Sequence, residues 1–141
     1  MPKTKRYLLD TNILIDFLNE VPSVVNHVLQ VGTHRCCISV ISLHELYIGA
    51  YLARERKEEY FARELAKINT LLEYFTVLSL TTKGEEYAHI KYTLRKKGQL
   101  VDEFDMVIAG HAVSEGLTVV TDNLKHFENM PGVKVENWMD R

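Results

Sequence analysis

What the chain lacks narrows its class first. Its 141 residues include 3 prolines and 7 glycines, none clustered, so no linker, low-complexity tract or repeat divides them. One domain over residues 1–141 is therefore expected. Only 2 cysteines are present, Cys36 and Cys37. Neighbours in a strand point to opposite faces, so these two are not expected to bridge each other. A chain this long buries enough surface to fold without a staple. Read as small buried hydrophobes, the cysteines suit a reducing compartment, and a cytoplasmic location is expected. No apolar run approaches the ~20 residues of a membrane span. The basic start, Met1-Pro2-Lys3-Thr4-Lys5-Arg6, lacks the apolar stretch and cleavage site of a signal peptide. Net charge is also small, −2 from 17 basic and 19 acidic residues. Bulk electrostatics therefore does not mark a nucleic-acid binder, although local patches remain open. With 46% hydrophobic residues the chain is not disordered.

What is present is an alternation of short β-like runs with longer helical ones. Strands are expected at residues 7–9, 36–40, 76–80 and 117–121, with an edge strand at 133–135. Helices are expected at 12–18, from Pro22 to 31, and at 42–53, 60–75, 83–97 and 103–115. Gly98 and Gly116 are stop signals, and Pro22 suits a first helical turn. Phe61, Leu65, Ile68, Leu72 and Phe75 recur at helical spacing, after a charged segment at 54–59. Strands joined by helical crossovers form a parallel sheet with helices on both faces. Ligands of such folds bind beyond the carboxyl ends of the strands.

Carboxylates stand at those ends. Asp10 directly follows the first strand, where it also has the place of a helix cap. Glu45 is the one acid in the apolar stretch 41–50, and Ser42-x-x-Glu45 has the spacing of a capping box. Asp105 opens another apolar helix, which Asp102 is placed to cap. Thr121-Asp122-Asn123 follows the fourth strand and doubles as turn chemistry. The coincidence of these positions matters more than any one of them. In a parallel α/β sheet they all fall on one edge. Carboxylates converging there repel unless cations neutralise them, and burying them unpaired costs several kcal/mol each. Hard divalent cations with oxygen ligands answer that need, and such a site suits phosphodiester chemistry.

Those residues resemble the PIN-domain family, most closely its VapC-type toxin ribonucleases. The likeness rests on Leu8-Leu9-Asp10-Thr11-Asn12, on Ser42-x-x-Glu45-Leu46-x-x-Gly49, and on Asp105-x-x-Ile108-Ala109-x-x-Ala112. Val119-Val120-Thr121-Asp122-Asn123, His126-Phe127 and Val135-Glu136-x-Trp138 complete it. The resemblance implies a three-layer α/β/α sandwich on a short parallel sheet. It implies a Mg²⁺- or Mn²⁺-dependent endoribonuclease site in which Asp10, Glu45 and Asp105 hold the metal. A fourth site residue is Asp122 or Asn123, because many members carry an acid where this chain has Asn123. Thr11, Asn12, Asp102 and Thr121 are supporting candidates.

The resemblance further implies structured RNA as substrate, a cognate antitoxin and a homodimer. Arg54-Glu55-Arg56-Lys57 and Arg95-Lys96-Lys97 are candidate phosphate contacts, or solvated helix ends. The apolar residues within 26–31 and 47–52 are candidates for a partner surface or for core. Other chemistries fit less well. A zinc-protease motif from His44 fails at Ile48. A receiver module wants an acidic pair after the first strand, and a strand-end Asp phosphatase wants an acid at position 12. This chain has Thr11-Asn12 there. The remaining alternative is a non-catalytic domain of the same fold with a degenerate metal site.

Overall fold

The computed structural model describes residues 5–139. Chain order is β1 (Tyr7–Leu9), α1 (Thr11–Leu18), α2 (Pro22–Val31), a 3₁₀ turn (Thr33–Arg35), β2 (Cys36–Ser39), α3 (Val40–Arg56) and α4 (Glu58–Tyr74). It continues with β3 (Thr76–Leu78), α5 (Glu85–Lys96), α6 (Glu103–Glu115), β4 (Thr118–Val120), α7 (Leu124–Phe127) and β5 (Lys134–Glu136). The five strands form one parallel sheet in the order β3-β2-β1-β4-β5. The expected α/β/α sandwich is present.

Two apolar layers cover the sheet, one on each face, because alternate strand residues point opposite ways. Tyr7, Leu9, Cys36, Ile38 and Val120 face α1 to α4, meeting Ile13, Val24, Val28, Leu43 and Leu71. Leu8, Cys37 and Val119 face α5 to α7, meeting Ile90, Leu94, Met106 and Phe127. Cys36 and Cys37 are both buried and free, on opposite faces as strand geometry requires. Trp138 closes the first layer with its ring edge-on to Tyr7 at 5.0 Å.

Helices connecting β1, β2 and β3 lie on one face, and those connecting β3, β4 and β5 on the other. The change of face falls between β1 and β4. That split is where doubly wound sheets open a crevice.

Several boundaries differ from expectation. Ser39, not Ser42, caps α3, its Oγ accepting from the Ile41 N–H at 3.1 Å. The helix therefore begins two residues early, and the Ser42–Glu45 capping box does not form. Ser42 is instead buried. The charged segment 54–59, left outside the expected helices, is helical except at Lys57, so α3 and α4 form a hairpin of two 17-residue helices. In α4 the buried position is Leu71, while Leu72 is exposed; the inward face drifts by one residue from the simple spacing. The 3₁₀ turn and the single turn α7 were too short to leave a periodic signal. Strands two, three and four are shorter than expected, and β5 is shifted one residue on.

The packing of α5 on α6 is close at one point. A Cβ on Gly110 would lie 2.8 Å from the Tyr87 backbone nitrogen and 2.9 Å from its Cα. We expect Gly110→Ala to force the helices apart and to cost about 1–3 kcal/mol, as overpacking does. A melting temperature equal to that of the parent would contradict this contact.

Candidate active site

Asp10 stands at the split between β1 and β4. Its backbone N–H still pairs with Val120 O at 2.9 Å, continuing the ladder past the end of β1. Its side chain caps α1, Oδ1 accepting from the Thr11 N–H at 2.8 Å. Oδ2 accepts from the Thr121 hydroxyl at 2.9 Å, and the Asn123 N–H donates to that same hydroxyl oxygen at 3.0 Å. The cap and the cluster are therefore not alternatives for Asp10. Only 4% of the residue is exposed.

Glu45 approaches from the second turn of α3. Its Oε1 accepts from the Thr11 hydroxyl at 2.7 Å, so Thr11 bonds Asp10 through its backbone and Glu45 through its side chain. Asp105 comes from the first turn of α6. Asp102 caps that helix, accepting from the Phe104 and Asp105 N–H groups at 2.9 and 3.3 Å. Two buried links hold α6 in place: the close approach at Gly110, and a 2.8 Å contact between Ser39 Oγ and His111 Nδ1.

His126 is the site residue that sequence reasoning missed. Its Nδ1 lies 2.6 Å from Asp105 Oδ2. Phe127, fully buried next to it, anchors the turn α7 that carries it. The six histidines are scattered in sequence without ligand spacing, and the pairing exists only in three dimensions. The signal was its place one turn past Asn123.

Electrostatics ties the three carboxylates together. Burial, then the neighbouring Asp105 carboxylate, pushes Asp10 from 3.8 up to about 6, against the hydrogen bonds from Thr121 and Thr11. Burial also raises Glu45, opposed by Thr11 and reinforced by Asp105 and Asp102. Burial raises Asp105 likewise, opposed mainly by His126. Among the described residues no Lys or Arg forms an ion pair with any of the three. All three acids are oxygen donors, the chemistry of a hard divalent cation's ligands. Among the described residues, however, no three His, Cys, Asp or Glu side chains stand ready to enclose one ion. A cation here would rely on water for much of its shell, as Mg²⁺ characteristically does.

The other candidates divide. Thr11 and Thr121 contact the cluster directly. Asp102 caps α6 and bears on Asp105 through its charge. Asp122 and Asn123 follow β4 at the same edge, both half-buried, and Asn123 engages through its backbone. Asn12 is exposed in the first turn of α1.

A stability effect follows from Asp10. A carboxyl raised in the fold binds its proton more tightly there than in the unfolded chain. Its ionisation therefore removes stability as pH rises from about 4 to about 6, on the order of 3 kcal/mol for two units. We expect Asp10→Asn to stabilise the cation-free protein by roughly 1–3 kcal/mol at pH 7.5, with the gain fading below pH 4. Urea unfolding at both pH values measures this; a variant less stable at pH 7.5 would contradict it.

Comparison with known proteins agrees with this architecture. The model of the PIN domain matches residues 7–133. The chain is 37% identical over 135 residues to Ribonuclease VapC2 of Haemophilus influenzae, covering 95% of this chain and 98% of the relative. It is 38% identical over 136 residues to the tRNA(fMet)-specific endonuclease VapC of Salmonella typhimurium, covering 94% and 98%. Among solved structures it is similar to VapBC2 from Rickettsia felis bound to a promoter DNA fragment, with TM-score 0.84, 29% identity and coverage of 94% and 98%. DNA-bound VapBC from Salmonella typhimurium gives TM-score 0.82 at 36% identity, covering 96% and 99%.

Proposed function

The chain belongs to the PIN domain family, and from that premise we propose a metal-dependent endoribonuclease, the toxin of a toxin–antitoxin pair, that hydrolyses phosphodiester bonds in structured RNA such as tRNA or rRNA. One observation carries the reading. Asp10, Glu45 and Asp105, from three separate elements, are partly buried and raise one another's proton affinity through their charges, with no Lys or Arg ion pair to any of them among the described residues. The ribonuclease relatives support the reaction class.

Asp10, Glu45 and Asp105 would hold Mg²⁺ or Mn²⁺. Such an ion, when bound, orients the phosphodiester, lowers the pKa of water and offsets charge on the leaving oxygen. The protein's part is preorganisation. The Thr11 N–H and Thr121 hydroxyl fix both oxygens of Asp10. The Thr11 hydroxyl fixes Glu45, and His126 fixes Asp105. The first three donors carry no charge, so they aim Asp10 and Glu45 without cancelling their charge. His126 is a positioning residue, because it acts through Asp105.

An antitoxin and a second copy of the chain are the proposed protein partners, as the VapBC neighbours suggest for the former. Both need apolar surface. Helix α3 exposes Tyr47, Ile48, Tyr51 and Leu52, and Leu29 stands out from α2. The structure thus places much of the segments 26–31 and 47–52 on the outside, with Val28 and Ala50 in the core. No helix among the described residues is long and apolar enough to cross a membrane.

Purified protein with total tRNA and rRNA tests the reading. We expect discrete cuts with Mg²⁺ or Mn²⁺, lost in EDTA and in Asp105→Asn. Cuts that persist in both controls would overturn it. His126→Ala should lower the rate roughly 10–100-fold, as loss of an outer partner of a metal ligand does, with partial recovery at higher Mn²⁺. An unchanged rate would remove His126 from the site.

A further inference from the structure

Helix α5 carries a face that the acidic cluster does not use. Tyr87, Ala88, Lys91, Tyr92 and Arg95 line a shallow hollow on it. Spacings of four, five and eight residues from Tyr87 put Lys91, Tyr92 and Arg95 on one side of the helix. The direction of that face is set by α6, against which α5 runs antiparallel. The Tyr87 backbone meets Gly110, well along α6. The Lys91 Nζ and the Tyr87 hydroxyl both donate to Glu103, at the start of α6, at 2.6 and 2.9 Å. The last turn of α5 therefore lies beside the N-terminus of α6, where Asp102 and Asp105 stand.

Three consecutive cations, Arg95, Lys96 and Lys97, close α5 at that point. All are exposed, and among the described residues none forms an ion pair. Lys96 Nζ sits 5.8 Å from the ring centroid of Tyr92, a residue 60% exposed. The other basic cluster is arranged differently. Arg54 is paired with Glu58 and Lys57 with Glu59. Arg56 lines the cavity between α1, α3 and α4 that Glu45 also lines, on the sheet face opposite α5, with Glu64 and Lys67 beside it.

We propose that the exposed C-terminal end of α5, with Tyr92 one turn before it, is a track for a single-stranded stretch of the substrate RNA next to the scissile bond, with phosphates on Arg95, Lys96 and Lys97 around the helix end and a base stacked on Tyr92. The proposal rests on the ribonuclease reading above. A polyanion approaching three carboxylates is repelled, and unpaired cations at the rim lower that cost. Exposed aromatic rings beside cations are the usual platform for single strands, because every base offers a flat face. The small net charge of the chain makes such a local patch necessary rather than incidental.

The test compares the full-length protein with Lys96→Glu/Lys97→Glu, with Tyr92→Ala, and with Lys134→Ala, exposed at the start of edge strand β5, as a charge-loss control away from the track. Cleavage of total tRNA in Mn²⁺ gives kcat and KM, and affinity is read in an Asp105→Asn background across a salt series. The double variant should raise KM and Kd about tenfold or more with kcat within about threefold, and flatten the salt slope by ~1 to 2 in log–log units, near 0.7 per phosphate contact. Tyr92→Ala should raise Kd about five- to tenfold with the slope kept. Lys134→Ala should match the parent. Unchanged KM and Kd in a parent that cuts RNA would overturn the track and leave the ribonuclease reading standing. Unchanged KM with an altered elution volume would assign the face to a second copy of the chain instead. A parent that neither binds nor cuts RNA would overturn both.

Discussion

The structure turns on one buried carboxylate. Asp10 sits where the sheet changes the face on which its connections run, between β1 and β4. Burial there would be prohibitive for an ion with nothing to meet it. Two hydrogen bonds, from the Thr11 N–H and the Thr121 hydroxyl, reduce the cost without removing it. What remains unmet is negative charge, shared with Glu45 and Asp105. The elements that bring these acids close are held by contacts of the core itself: Ser39 to His111, Gly110 to Tyr87, and the buried Phe127 next to His126. A fold selected for stability alone would not concentrate like charges at its crevice. The Thr11 N–H and the Thr11 and Thr121 hydroxyls, which carry no charge, orient Asp10 and Glu45 without neutralising them, as the proposed cation site requires.

Much of the fold was legible from pattern. Buried parallel strands must be short apolar runs between helices, and Tyr7–Leu9, Cys36–Ser39 and Thr118–Val120 obey that rule on both faces. Gly98 and Gly116 mark helix ends as expected, both with positive φ. The errors lie where local rules compete. Ser39 and Ser42 are both acceptable caps, and only the length of β2 decides between them. The charged segment after Ala53 has no apolar periodicity, yet it is helical on either side of a break at Lys57, because α3 and α4 pack along each other as a hairpin.

The site was legible in its acids and not in its orienting groups. Asp10, Glu45 and Asp105 stand out because each is a carboxylate in apolar surroundings at a strand end or helix start. Thr11 and Thr121 could be named as neighbours, but their bonds depend on rotamers that no sequence spacing encodes. His126 escaped for a deeper reason. It lies 21 residues from Asp105, on a turn of four residues, and only the burial of Phe127 brings it into reach. Between the two basic clusters, composition offered no choice. The structure separates them: Arg54 and Lys57 are engaged in ion pairs, while Arg95, Lys96 and Lys97 form none among the described residues.

We propose that the three carboxylates form one site for a hard cation. Electron paramagnetic resonance of Mn²⁺ titrated into cation-free protein, with Asp10→Asn and Asp105→Asn alongside, decides it. Saturable binding by the parent and at least tenfold weaker binding by each variant are expected. No binding by the parent, or equal binding by all three proteins, would overturn the site.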